Sequence, residues 1–218
     1  MKNMTLVVVL AFLIVGCSAG NQAADITIEP EPILLESESD QNQDQDTNQN
    51  HILLAGDSLE GELTIKDQDG LLWMREEEKL ARDLYLTLGD HWDLQIFNNI
   101  ASSEVKHMDA VAELIEQFGL QDPVGELGVG QFSDPELQSL YDQLFKQGLQ
   151  SVQEALLVGG AVEEIDILDL KGLLAVTEDE SIRVVYENLL AGSENHLQSF
   201  SKVYSRQTGL VYEAHYMS

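Results

Sequence analysis

The chain has 218 residues, 44% of them hydrophobic, and a formal net charge of −28, enough for one folded domain of ordinary size with appendages. The excess of acid excludes nucleic acid as a partner, since holding a phosphate backbone takes clustered Lys and Arg that displace counterions, and it favours cations. With a single cysteine, Cys17, the chain forms no intramolecular disulfide.

The first element in chain order is a targeting signal. MKNMTLVVVLAFLIVGCSAG carries Lys2, an apolar run of ten residues from Leu6 to Val15 and small residues around Cys17, the layout of a secretory signal. Such a run is half the length of about 20 residues that a membrane-spanning helix needs. The stretch Ile14-Val15-Gly16-Cys17 resembles the lipobox of bacterial lipoproteins. That resemblance implies a signal peptide over residues 1–16, cleavage before Cys17 and a diacylglycerol on its thiol. The protein is then expected to be extracytoplasmic and held to a membrane only by its lipid. Ser18 after the cysteine resembles the sorting choice for the outer membrane or its periplasmic face. Residues 17–69 follow as an acidic, Gln/Asn-rich segment, typified by SESDQNQDQDTNQN, whose composition predicts a disordered, solvated tether.

From about Gly70 the apolar residues recur at three- and four-residue spacing, which predicts an all-α domain over residues 70–218. A first helix spans about Leu71 to Leu88, with Gly89 as its stop. A second covers about Leu94 to Phe118. The Gly-rich stretch LQDPVGELGVGQF reads as loop, and a short helix follows at about Pro135 to Gln147, capped by Asp134. The third long helix opens on the capping box Ser151–Glu154 and runs to about Ala175. A fourth opens on Thr177–Glu180 and runs to about Gln207. Four long helices with a long connection and a short extra helix between the second and third match a ferritin-like four-helix bundle.

Glu104 and His107 form a Glu-x-x-His pair in the second helix. In so acidic a chain the spacing alone proves little; position within the bundle says more. In a helical hairpin, residues equally far from the turn meet at one height, at 1.5 Å per residue. If the first hairpin turns near His91, Glu78 lies thirteen residues before it and Glu104 thirteen after. If the second turns near Thr177, Glu163 lies fourteen before and His196 nineteen after, about one helical turn past the matching height. Ionised carboxylates in a bundle interior must be paired, protonated or bound to metal. Oxygen and nitrogen donors without thiolate suit iron or manganese, and zinc also binds such sets.

Glu78-Lys79-Leu80-Ala81-Arg82-Asp83-Leu84-Tyr85 resembles the ExxAxxxY helix of rubrerythrin-type ferritin-like proteins, and Glu104-Val105-Lys106-His107 resembles their second-helix ExxH. Within that superfamily, REEEKLARDLY, EALLVGGAVEEIDILDL, GSENHLQSF and the closing GLVYEAHY more closely resemble the bacterial and archaeal family called domain of unknown function 2202. The resemblance covers some two thirds of the chain. It implies the fold and metal ligands at Glu78, Glu104, His107 and His196, and leaves the activity open. The chain departs from the template in one place, where Ser193 stands three before His196 and the template has Glu. The third long helix offers compensation through Glu163 and Asp166, three apart on one face, with Glu164 as the alternative to Glu163.

The expected cofactor is therefore iron, a pair of ions by the template, with manganese or zinc as substitutes. Glu104 and an acid of the third long helix would bridge or flank the metals, Glu78 would be terminal, and His107 and His196 would each give an imidazole nitrogen. The corresponding activity is reduction of oxygen or peroxide with oxidation of ferrous iron or another donor. No rubredoxin-like CxxC pair is present, so an external electron donor is required. Two alternatives stand beside this: metal binding without turnover, and a metal-free helical module for interactions in the cell envelope. An oligomer is compatible with each. No catalytic residue is assigned. Glu78 is otherwise an exposed member of the run Glu76-Glu77-Glu78, Tyr85 a core residue, and Gly159-Gly160 a place for close helix packing. His51, His91 and His215 lie away from the expected site.

Overall fold

The computed structural model describes residues 63–217, which fall in the second of two units of the chain, Ala55–Ser218. The signal peptide, Cys17, His51 and nearly all of the expected tether lie outside the described residues. The described residues are all-helical, with five helices and no strand: α1 (Ile65–Trp92), α2 (Gln95–Gln117), α3 (Pro135–Gly148), α4 (Val152–Leu174) and α5 (Glu180–Thr208). None of these helices is long and apolar enough to cross a membrane.

Helix α1 begins six residues before the expected Leu71. Thr64 caps it, its side chain accepting from the Asp67 amide, and Asp67 places a carboxylate in the first turn, where the helix dipole favours it. Gly70 sits inside the helix because a Cβ there would meet Leu173 and the Tyr186 hydroxyl. The expected stop at Gly89 fails for the same kind of reason: a Cβ would lie 2.9 Å from Asn98 Oδ1 and 3.0 Å from Phe97 Cβ, so this glycine allows α1 and α2 to approach. The chain turns at Asp93, in the left-handed region with φ 52°. Helix α5, in contrast, starts later than expected. Its cap is Asp179, which accepts from the amides of Ser181 and Ile182, not Thr177. The bounds of α2, α3 and α4 follow the sequence pattern to within a residue or two, and Asp134 and Ser151 cap α3 and α4 as expected.

Helix α1 packs along α2 and α4 along α5, while α1 touches α4 and α2 touches α5; α3 lies against α1 and α4. The interior has two apolar layers. One holds Leu71, Met74, Val111, Leu114, Ile115, Leu170, Ile182 and Leu189. The other is built on Leu80, Leu84, Leu88, Leu137, Leu156 and the aromatic trio Tyr85, Phe97 and Phe200. Each buried Leu, Ile or Phe contributes about 1.5–3 kcal/mol. Between the layers, all four long helices bury polar side chains: Glu78 on α1, Glu104 on α2, Glu163 and Asp166 on α4, Ser193 and His196 on α5. A polar layer between two apolar ones is costly, and it marks the site.

The long connection between α2 and α3 covers the outer side of α1. Arg75 donates to both oxygens of Asp122 and to the Met108 carbonyl. Lys79, fully buried, donates to Asp83 at 2.5 Å and to the carbonyls of Gly128 and Gln131, and lies over the Phe132 ring. Glu76 accepts from the amides of Ser133 and Asp134 and from the Ser133 hydroxyl. The acidic run at 76–78 is therefore buried in all three members, and each faces a different partner.

Candidate metal centre

Helices α1 and α2 deliver Glu78 and the Glu104–His107 pair to one point. Because the first hairpin turns at Asp93 and not at His91, Glu78 comes opposite His107: its Oε2 lies 3.3 Å from His107 Nδ1. Glu104, with 2% of its surface exposed, is the centre of the cluster. Its Oε2 lies 2.7 Å from His107 Nδ1 and its Oε1 lies 2.8 Å from His196 Nδ1. One carboxylate from α2 thus spans two imidazoles carried by two helices, whose rings stack 5.4 Å apart. Glu163 completes the other side, with Oε2 3.5 Å from His196 Nδ1 and Oε1 accepting from the Tyr85 hydroxyl at 2.6 Å.

The Ser193 departure has a structural counterpart. Ser193 donates its hydroxyl to Asp166 Oδ2, and the carbonyl of Leu189 lies 3.0 Å away on its other side. A small residue on α5 leaves room for a carboxylate from α4, one turn beyond Glu163, and orients it. Gly192, the neighbour of Ser193, serves His107: a Cβ there would lie 2.6 Å from the ring atoms Cε1 and Nε2. Neither role was readable from motif spacing. The consecutive small residues Gly192-Ser193, in mid-helix where helix formers are expected, were the available signal.

Glu163, Asp166 and His196 are brought together with Glu78, Glu104 and His107. Glu164 is not. It is fully buried, but it faces the C-terminal tail, where Oε1 accepts from Tyr212 at 2.5 Å and Oε2 from the amides of His215, Tyr216 and Met217. Gly160 leaves the space that the Tyr212 ring fills, and Gly159 faces Phe200, which fits the close packing expected of this pair. His91 and His215 are exposed. The sequence reading also missed Glu77, buried beside the cluster, whose Oε2 accepts from the Trp73 indole at 2.9 Å.

Burial and mutual charge shift every titratable member of the cluster. Burial raises Glu78 to about 8. Burial, followed by the charge of Glu104, raises Glu163 to about 7. Asp166 is raised well above the usual range, again by burial first. Burial also works against the charge on Glu104, yet the two imidazoles outweigh it and bring its carboxyl down to about 2. The neighbouring carboxylates likewise overcome burial at His107 and His196, which stand at about 11 and about 10. Protons occupy the cluster where positive charge is needed.

Three observations fit a metal in their place. Glu78 Oε1, Glu104 Oε1, Asp166 Oδ1 and His196 Nδ1 are buried without a hydrogen-bond partner, a rare condition for polar atoms. Glu104 Oε1 and His196 Nδ1 are among them although they lie 2.8 Å apart, so they approach closely without hydrogen-bond angles. Two ligand atoms each about 2.1 Å from one ion and at right angles are themselves about 3 Å apart. The ligand atoms of Glu104, His107 and His196 all fall within 4.8 Å of one another.

The family described as "Uncharacterized protein domain (DUF2202)" matches residues 67–218. The chain belongs to this DUF2202 family. The uncharacterized protein MJ0754 of Methanocaldococcus jannaschii is 46% identical over 153 residues, which cover 70% of this chain and 82% of that protein. The crystal structure of the hypothetical protein MJ0754 from Methanococcus jannaschii DSM 2661 is similar to this DUF2202 domain with a TM-score of 0.71 and 44% identity, over 75% of this chain and 93% of that one. The match begins at Asp67 and so includes all of the polar layer.

Proposed function

We propose that the DUF2202 domain of this chain is a ferritin-like four-helix bundle around a dinuclear metal site, with iron as the natural occupant and manganese or zinc as substitutes. The observation that carries this reading is Glu104, whose two oxygens each approach a different imidazole nitrogen at 2.7 and 2.8 Å. A single carboxylate between two nitrogen donors from two helices is what a metal pair requires. The ligands would be Glu78, Glu104, His107, Glu163, Asp166 and His196. Their four carboxylates would balance two divalent ions, with both imidazoles neutral. Asp166, positioned by Ser193, takes the part of the carboxylate that a regular ferritin-like bundle carries on its last helix.

When bound, iron would supply electrons to oxygen or peroxide and take them from ferrous iron or another external donor. The residues around it limit the substrate and handle protons. Every carboxylate of the cluster is buried, and the imidazoles are its most accessible members. Such enclosure suits small reactants and excludes bulky organic ones. Tyr85 holds its proton on the bond to Glu163, since burial and then the charge of Glu163 push its hydroxyl well above the ordinary range; it fixes that carboxylate in place. The lipobox-like Ile14–Cys17 supports, on sequence grounds, an extracytoplasmic lipoprotein anchored through Cys17.

The test is anaerobic loading with ferrous iron, removal of excess metal, and then addition of peroxide or oxygen while ferric absorbance is followed. Stoichiometric iron with turnover supports the oxidase or peroxidase reading. Stoichiometric metal without turnover leaves a storage or structural metal protein, and no metal with intact helicity returns the domain to a metal-free interaction module.

A further inference from the structure

A second set of acids borders the cluster on the side of α1 and α4. Trp73 donates its indole N–H to Glu77 Oε2 at 2.9 Å and to Asp169 Oδ2 at 3.2 Å, so a single donor holds the two carboxylates side by side. Glu77 is 3% exposed and its Oε1 has no hydrogen-bond partner. The charges felt by Glu77 are those of Asp169, Asp166 and Glu78, all acidic. The basic residues of α1 and α4 nearest in sequence are engaged elsewhere: Lys79 by Asp83, Arg75 by Asp122, and Lys171 by Glu194 at the surface.

Along α4 the acids recur every three residues, from Glu163 through Asp166 to Asp169, and the last is half-buried where the others are buried. Asp166 lies between Asp169 and Glu163 along α4, with Oδ2 on Ser193 and Oδ1 without a partner. A row of acceptors thus runs from the partly exposed end of α4 to Glu104. Buried carboxylates without a counter-charge are costly, and two carboxylates completed by water are enough to hold a divalent ion.

We propose that Glu77 and Asp169 form a separate site for a partly hydrated divalent cation, which receives the ion from solvent and passes it by way of Asp166 to the buried cluster. The inference rests on the di-metal reading above and adds the route by which that site fills.

Trp73 makes the site observable, because a paramagnetic ion bound to both of its acceptors quenches the indole. The chain has two tryptophans, so Trp92→Phe leaves Trp73 as the only reporter. Cobalt(II) is mixed with metal-free protein in a stopped-flow instrument; Trp73 fluorescence reports the outer site and visible cobalt absorbance the cluster. A fast quenching phase should precede the absorbance. In Glu77→Gln with Asp169→Asn, which keeps both acceptors for the indole, the fast phase should vanish and cluster loading should slow about tenfold or more, with the final absorbance unchanged. Asp169→Asn alone, at the half-buried position, should slow loading to a lesser degree, and far-UV circular dichroism verifies the fold of each variant. Glu104→Ala with His107→Ala should keep the fast phase and lose the slow one. Unchanged loading rates in the folded Glu77 and Asp169 variants overturn the inference and leave the di-metal reading intact. Loss of both phases in the Glu104 and His107 variant assigns the quenching to the cluster and also overturns it. A parent protein that takes up no cobalt overturns both.

Discussion

Replacing Glu104 by Gln removes one charge and almost no volume, and its consequences follow from the two imidazoles it joins. In the metal-free domain its carboxyl stands at about 2 against an ordinary 4.5, a difference worth about 3 kcal/mol at about 1.4 kcal/mol per tenfold. Breaking a buried ion pair from one side costs a similar 3–5 kcal/mol or so. Glu104→Gln should therefore lower unfolding stability by on the order of 3 kcal/mol at pH 7, measured by urea denaturation in the presence of a chelator. The pH dependence has a definite sign. A depressed carboxyl contributes stability above its unfolded value, and the contribution is lost as pH falls from 4.5 toward 2, so the gap between parent and variant should narrow below about pH 4.5 and approach zero near pH 2. Equal stability at pH 7, or a gap that widens on acidification, would refute the reasoning. With metal present, the parent should gain a further stabilisation that the variant lacks.

Metal loading should release protons and tighten as pH rises, because His107 and His196, at about 11 and about 10, and Glu78, at about 8, hold protons at neutral pH that metal must displace; calorimetry in buffers of different ionisation enthalpy measures the release, and a pH-independent affinity between pH 6 and 8 would contradict it. The raised values act oppositely on the metal-free fold: Glu78 and Glu163 lose their stabilisation as pH rises from 4.5 through about 8 and about 7, and the histidines lose theirs above 6.5 through about 10 and 11, so its melting temperature should fall between pH 5.5 and 8.5. Gly192→Ala places a methyl 2.6 Å from the His107 ring; it should weaken metal binding by about 10- to 100-fold with helicity retained, as equilibrium titration would show. Asp83→Ala strips the fully buried Lys79 of its only carboxylate partner among the described residues and should destabilise the domain by about 3–5 kcal/mol in urea.

Much of the fold was legible because amphipathic spacing and caps are local. Asp134-Pro135 and the Ser151 box place α3 and α4 from sequence alone. The two misplaced ends of α1 share one cause: read locally, the helical pattern begins at Gly70 and stops at Gly89, but the structure uses both glycines inside the helix for contacts with Leu173 and with Phe97 and Asn98, which no local pattern contains. The site divides in the same way. Glu104 and His107 were legible from spacing and resemblance, Glu78 from its register, and His196 from resemblance, its register being about one helical turn off. Choosing among Glu163, Glu164 and Asp166 depended on partners distant in sequence, namely Tyr85 for the first, the C-terminal tail for the second and Ser193 for the third. Glu76 read as solvated because nothing in the sequence announces that the connection before α3 folds back to bring Ser133 and Asp134 onto it.

The most direct test of the central claim is the metal content of purified protein after anaerobic loading with ferrous iron and desalting, compared between the parent and the Glu104→Ala, His107→Ala double variant. The proposed di-metal site predicts about two ions per chain in the parent and none retained in the variant, with both equally helical. Equal metal in the two would contradict it.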